Sequence, residues 1–173
     1  MAASARGLRL RPLGPEDAHE AKAAQRELAA DDFAFLLGWD AEMPWEDYLA
    51  LLEAQRRGVD DRPGRVPATF LVAQVGAELV GRVSIRHELN EYLTNVGGHI
   101  GYGVRPAYRG LGYGTEILRQ ALVVAHVEGV SRVLVTCDAR NAASAATIAR
   151  VGGVLEDVRP DEDGRSTQRF WIE

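Results

Sequence analysis

The chain holds one cysteine, Cys137, and one lysine, Lys22, among 173 residues. A lone cysteine excludes an internal disulfide and fits a reducing compartment. The lone lysine excludes a Walker-type phosphate loop, which needs Gly-Lys-Ser/Thr, because Lys22 is far from any such pattern. No apolar run approaches the ~20 residues that span a bilayer, and no apolar h-region follows the N-terminal arginine. The expected location is the cytoplasm, with no membrane partner. Histidines are few and scattered. His19-Glu20 begins a zincin-like pattern that ends in Ala23, and His87-Glu88 ends in Glu91, so no metal site is expected. There is no G-x-S-x-G elbow for a serine hydrolase. A net charge of -5 lacks the basic surface that nucleic-acid binding requires.

What is present fits one α/β domain over 1–173, with an apolar share of 46% and a charged share of 26%. Charge is uneven: residues 1–96 carry 16 acidic and 11 basic side chains, and residues 97–173 nine of each. Glu27 to Glu53 contains eight acids and no Lys or Arg. Such a stretch is either a solvated face or a mouth that attracts a cationic, amine-bearing substrate.

Periodicity orders the elements. Leu8–Arg11 alternates as a strand, and Gly14-Pro15-Glu16-Asp17 starts a helix with Ala21, Ala24 and Leu28 on one face. A second helix is predicted over Pro44–Arg57, with Trp45, Tyr48 and Leu52 inward. Strands at Phe70–Ala73 and Leu79–Ile85 form a hairpin around Gly76, the second turning Arg82 and Ser84 to the face opposite Val83. A polar segment, His87–Val96, precedes a strand at His99–Val104. A helix follows with Ile117, Leu118, Ala121, Leu122 and Ala125 in register, closed by Gly129. Then come a buried strand at Val133–Val135, a helix from Asn141 to Gly152-Gly153, and strands at Val154–Val158 and Gln168–Ile172 around a turn at 161–164. The expected architecture is β-α-α-β-β-β-α-β-α-β-β: a mixed, mostly antiparallel sheet of six to seven strands with four helices.

The most specific segment is Val104-Arg105-Pro106-Ala107-Tyr108-Arg109-Gly110-Leu111-Gly112-Tyr113-Gly114-Thr115. Three glycines strip side chains from a strand-to-helix turn, so that several N–H groups and the helix dipole can meet one anion beside Arg105 and Arg109. A dinucleotide fingerprint is the weaker fit, because position 115 is Thr and the third glycine comes one residue early, although Asp138 imitates a ribose-binding acid.

Arg109-Gly110-Leu111-Gly112-Tyr113-Gly114, preceded by Val104-Arg105-Pro106, resembles the coenzyme A-binding motif of the GCN5-related N-acetyltransferases. A second landmark of that family is also present, an Asn after the next strand and a helix ending in Gly: Cys137-Asp138-Ala139-Arg140-Asn141 through Val151-Gly152-Gly153. The resemblance covers nearly the whole chain and is most specific from 98 to 155. The Arg86-His87 and Gly97–Tyr102 runs resemble a bacterial subgroup of these enzymes. The resemblance implies that the N–H groups from Gly110 to Thr115 hold the pyrophosphate of acetyl-CoA. It implies that main-chain groups of Tyr102 and Val104 pair with the pantetheine arm, with Asn141 and Ser144 on its other side; Asn141 is equally a plain helix cap. It divides the chain into an acceptor-side half at 1–96, an acetyl-CoA-binding core at 97–158 and a last hairpin strand at 159–173.

The implied reaction is direct attack of a small, cationic amine on the thioester, with the Val104 N–H as oxyanion donor. Counting back along the strand for a general base reaches Gly98 and Ile100, which cannot accept a proton. His99, between them, is a candidate if the register shifts, and His87, Glu88 and Glu91 are others. The family's usual acid, a tyrosine, falls at Ile148, which leaves Tyr102 or Tyr108 to substitute. Cys137 is either a covalent nucleophile or an apolar filler. The alternative function is a non-catalytic acyl-CoA-binding sensor. A homodimer paired through the last strands is expected, with Gln168–Ile172 as the edge.

Overall fold

The structure, a computed structural model, describes residues 5, 7–160 and 162–173. Strand β1 (Arg9–Arg11) leads through a 3-10 turn at Pro15–Asp17 into α1 (Ala18–Ala29), and α2 (Trp45–Arg56) follows. Helix α1 buries Ala21, Ala24 and Leu28, and α2 buries Tyr48 and Leu52, as their spacing requires. Strands β2 (Ala68–Val75) and β3 (Glu78–Arg86) pair antiparallel, and β4 (Ile100–Val104) adds to β3. Then come α3 (Tyr113–Val127), β5 (Val133–Asp138), α4 (Ala142–Arg150), β6 (Val154–Pro160) and β7 (Ser166–Ile172).

The seven strands form one sheet in the order β1-β2-β3-β4-β5-β7-β6. Helices α3 and α4 cover one face through Ile117, Leu118, Ala121 and Ile148 packed on Val83, Ile85 and Val135. Helices α1 and α2 cover the other around Leu28, Phe35, Tyr48 and Val72. Only β4 and β5 run parallel, and they share a single registered pair, Ile100 with Val135. Past that pair the two strands diverge, which leaves Tyr102 to Val104 without a β5 partner.

Within the polar segment before β4, Leu93–Gly97 winds a π-helical turn that buries Leu93. Asn90 nucleates it, accepting from the Leu93 N–H at 2.9 Å and receiving the Thr94 hydroxyl on its carbonyl at 2.8 Å, and Gly98 ends it at φ 64°. Gln168–Ile172 is not an edge, because β7 lies between β5 and β6 and pairs with both. The edge on that side is β6, which exposes Val154, Leu155 and Val158. Of the predicted turn at 161–164, Asp161 lies outside the described residues. No helix among the described residues is long and apolar enough to cross a membrane.

Candidate functional site

Gly110 and Gly112 adopt φ of 76° and 83°, the left-handed region that glycine occupies without strain. A Cβ built on either would meet nothing within 4 Å, so the turn presents bare backbone to open space. Gly112 is the N-cap of α3, whose first-turn N–H groups have no intrahelical acceptor. The turn opens into a cleft of about 680 Å³. Tyr102, Gly103 and Val104 of β4 line it, as do Tyr113, Gly114 and Thr115 of α3, and Asn141, Ser144, Thr147 and Arg150 at α4. Glycine turn, strand splay and α4 therefore face one space.

Backbone alternation supplies the rest. The Arg86 N–H donates to the His99 carbonyl at 2.7 Å, and the Arg105 N–H to the Val80 carbonyl at 2.9 Å. Gly101 and Gly103 thus turn their main chain toward β3, and Tyr102 and Val104 turn theirs into the splay. Asn141 caps α4, its Oδ1 accepting from the Ser144 N–H at 3.0 Å, and it lines the cleft.

Arg105 does not join the turn. It is 9% exposed, and its guanidinium donates to Glu27 at 2.7 and 2.9 Å and to Glu20 at 3.0 Å, both on α1. Arg109 does line the cleft, with Nη2 on Asp31 at 2.7 Å and Nε on the Val104 carbonyl at 3.0 Å. Leu111 is exposed and outside the cleft lining. Of the acidic stretch from Glu27 to Glu53, only Asp31 reaches the lining, already paired with Arg109.

The proposed bases are scattered. His99 is 7% exposed and its Nδ1 accepts the Leu134 N–H at 2.9 Å; burial, then the charge of Arg86, lower its pKa. His87 bonds Thr69 at 2.8 Å, with Glu128 at 3.9 Å. Glu88 and Glu91 are exposed, and none of these four side chains lines either cavity. Tyr102 does line the cleft: its hydroxyl lies 3.1 Å from the Ser144 hydroxyl and bridges β4 to α4. The Tyr108 hydroxyl is held by Glu78. Ile148 is fully buried.

A second cavity of about 300 Å³ adjoins the cleft and shares Phe33, Tyr102, Asn141 and Ser144 with it. Arg82 and Arg86 of β3, Gly97, Ile100, Gly101, Thr136, Cys137 and Asp138 complete it. The alternation of Arg82 and Ser84 marked a polar face in the sequence, yet both are buried. Phe33, after α1, covers that face: its ring lies 4.2 Å from the Arg82 guanidinium, and a Cβ on Gly103 would collide with it.

The profile described as Acetyltransferase (GNAT) domain matches residues 7–154. An uncharacterized N-acetyltransferase of Bacillus subtilis (strain 168), YfmK, is 34% identical over 96 residues, which are 56% of this chain and 61% of that protein. The match thus spans about three fifths of that relative's length. Solved structures share the fold. RimJ of Mycobacterium smegmatis, in complex with CoA-disulfide, is 22% identical with a TM-score of 0.69, covering 95% of this chain and 81% of its own. The ribosomal-protein-S5-alanine acetyltransferase of Vibrio fischeri is 16% identical with a TM-score of 0.70, covering 96% and 93%. The microcin C7 self-immunity acetyltransferase MccE, crystallised with acetyl-CoA and AMP, is 19% identical with a TM-score of 0.66, covering 96% and 92%. With the glycine turn, the splayed strands and the capped α4 all in place, the chain belongs to the GNAT acetyltransferase family.

Proposed function

We propose that this protein is an acetyl-CoA-dependent N-acetyltransferase that moves the acetyl group to the amine of a small acceptor in the cytoplasm. The single observation that carries the reading is the joining of the glycine turn and the β4–β5 splay in one cleft. The residues present fit acetyl-CoA. The N–H groups from Gly110 to Thr115 take the pyrophosphate, Arg150 adds charge, and the inward main chain of Tyr102 and Val104 holds the pantetheine arm opposite Asn141 and Ser144. Residues 97–158 supply that side, and Phe33, Arg82 and Arg86 from residues 1–96 face the acceptor.

Acetyl-CoA supplies an activated thioester. The protein orients the amine against it, the Val104 N–H steadies the oxyanion, and the Tyr102 hydroxyl protonates the leaving thiolate and is restored by the proton that the acylated nitrogen sheds. The two carboxylates lining the cavities, Asp31 and Asp138, are each paired with an arginine. That pairing favours a second reading, a non-catalytic acyl-CoA-binding module.

Calorimetric titration with acetyl-CoA tests the proposal against Gly112→Glu, which sets a carboxylate in the turn. A side chain at that φ is strained by about 1–2 kcal/mol, so circular dichroism first checks that the variant is folded. Binding to the wild type that the folded variant loses is the expected result, followed by thiol release in an amine screen. No binding to the wild type overturns the proposal. Binding without thiol release from any amine selects the non-catalytic reading.

A further inference from the structure

We infer that the acceptor amine carries an anionic oxygen group, a carboxylate or a phosphate, and that Arg82 and Arg86 receive it in the smaller cavity. The inference rests on the acetyltransferase reading for the identity of the site, and on the smaller cavity for the sign of its ligand.

Two guanidinium groups meet around Gly101. Arg82 is 3% exposed, and its Nη1 donates to the Gly101 carbonyl at 3.0 Å. A Cβ on Gly101 would lie 3.1 Å from Arg86 Nη1, so the absent side chain leaves room between the groups. Their partners are neutral: Arg82 also donates to the Ala34 carbonyl, and Arg86 to the Gly97 carbonyl at 3.1 Å. Among the described residues neither forms an ion pair, and the Arg82 Nε–H has no hydrogen-bond partner.

Among the described residues, ten arginines elsewhere sit within 3.0 Å of a carboxylate. The one carboxylate lining this cavity, Asp138, is bound by Arg140 at 2.9 Å and held down to about 2. Burial pulls both guanidinium groups below their ordinary range; at Arg82 the charge of Arg86 adds to this, and at Arg86 Tyr92 opposes it while Arg65 adds to it. An arginine stays charged in a protein, so a buried Arg82 beside a half-buried Arg86, with no counter-ion, is costly until an anion enters. Arginine's fork suits a planar carboxylate or a phosphate and would orient an attached amine toward Tyr102 and the splay.

The test compares acetyl transfer to matched acceptors: alanine against alaninamide and ethylamine, phenylalanine against phenethylamine, and O-phosphoethanolamine against ethanolamine. The wild type is measured beside Arg86→Gln, Arg86→Lys and Gly101→Asp, the last placing a carboxylate of the chain's own in the gap. The expected result is at least about tenfold higher kcat/KM for the anionic member of one pair, a factor typical of one good ionic contact. That preference is lost in Arg86→Gln and Gly101→Asp and partly restored in Arg86→Lys, while calorimetric acetyl-CoA affinity is unchanged. The amino-acid and phosphate arms separate the two anions. Equal or better turnover of neutral or cationic amines overturns the inference, as does an anion preference that survives Arg86→Gln.

If no acceptor in the panel is turned over, inorganic sulfate reads the site directly in the presence of saturating CoA, which fills the glycine turn. A rise in Tm seen in the wild type and lost in Gly101→Asp supports the anion site; an equal rise in both overturns it. Failure of the acetyltransferase reading is separate, and shows as absent acetyl-CoA binding.

Discussion

His99 and Leu134 exchange two hydrogen bonds: the Leu134 N–H donates to His99 Nδ1 at 2.9 Å, and the His99 N–H to the Leu134 carbonyl at 2.8 Å. The imidazole stands in for a strand partner where β4 and β5 have barely paired, and only its neutral form accepts that bond. Burial lowers its pKa below 6.5 in the fold. The unfolded chain therefore takes up a proton first on acidification, and the stability held above about pH 6.5 is lost as pH falls toward the folded pKa. His99→Ala, which orphans the Leu134 N–H, should lose about 1–3 kcal/mol and unfold several degrees earlier. Thermal melts between pH 7 and 5 should show a flatter acid limb in the variant.

Arg105 ties the exit of β4 to α1 and does not join the glycine turn. Arg105→Gln should cost about 1–2 kcal/mol, discounted because Glu20 and Glu27 are partly exposed, and should leave acetyl-CoA affinity in the folded protein unchanged. The hydrogen bond from Arg105 holds the Glu27 carboxyl below its ordinary 4.5. Its contribution is present above that value and is lost as pH falls through the folded pKa, so wild type should lose more stability between pH 7 and pH 4 than Arg105→Gln does. Urea titrations at pH 7 and pH 4, with calorimetry for the ligand, measure both effects.

The element order and the glycine turn were legible because each is local: helical spacing at Ile117, Leu118 and Ala121, and glycines at 110, 112 and 114. What escaped local reading depends on distant partners. Arg105 stands beside the turn in sequence, but Glu20 and Glu27 draw it away across more than 75 positions. Strand β7 reads as a terminal edge until β5 claims it. The polar side of β3 was visible at Arg82 and Ser84, yet nothing in its alternation announced that Phe33 would seal it.

Cys137 lines the smaller cavity, so a covalent acyl-cysteine route has a geometric opening. Its chemistry argues otherwise. Burial pushes the thiol pKa up, and the Sγ–H points to Gln168 Oε1 at 3.7 Å, so little thiolate forms at neutral pH. Cys137→Ala should keep most of its kcat, and mass spectrometry after incubation with acetyl-CoA alone should find no acetylated protein. Loss of turnover together with a trapped acetyl-enzyme in the wild type would establish the covalent route instead.

Tyr102 is the hydroxyl best placed to serve the leaving thiolate, because it spans the splay and meets Ser144 at 3.1 Å. Burial raises its pKa above 10.0, against the opposing pull of the Ser144 and Thr147 hydrogen bonds, so it stays protonated and able to donate. Tyr102→Phe keeps the ring between β4 and α4 and removes only the proton. For general-acid catalysis the expected loss in kcat is about 10²-fold, with acetyl-CoA affinity intact. A packing role would lower stability and leave kcat of the folded enzyme alone. Ser144→Ala separates orientation from chemistry: it frees the hydroxyl without deleting it, and its kcat should fall between wild type and Tyr102→Phe. An equal kcat in all three would remove Tyr102 from the mechanism and leave the thiolate to depart unaided.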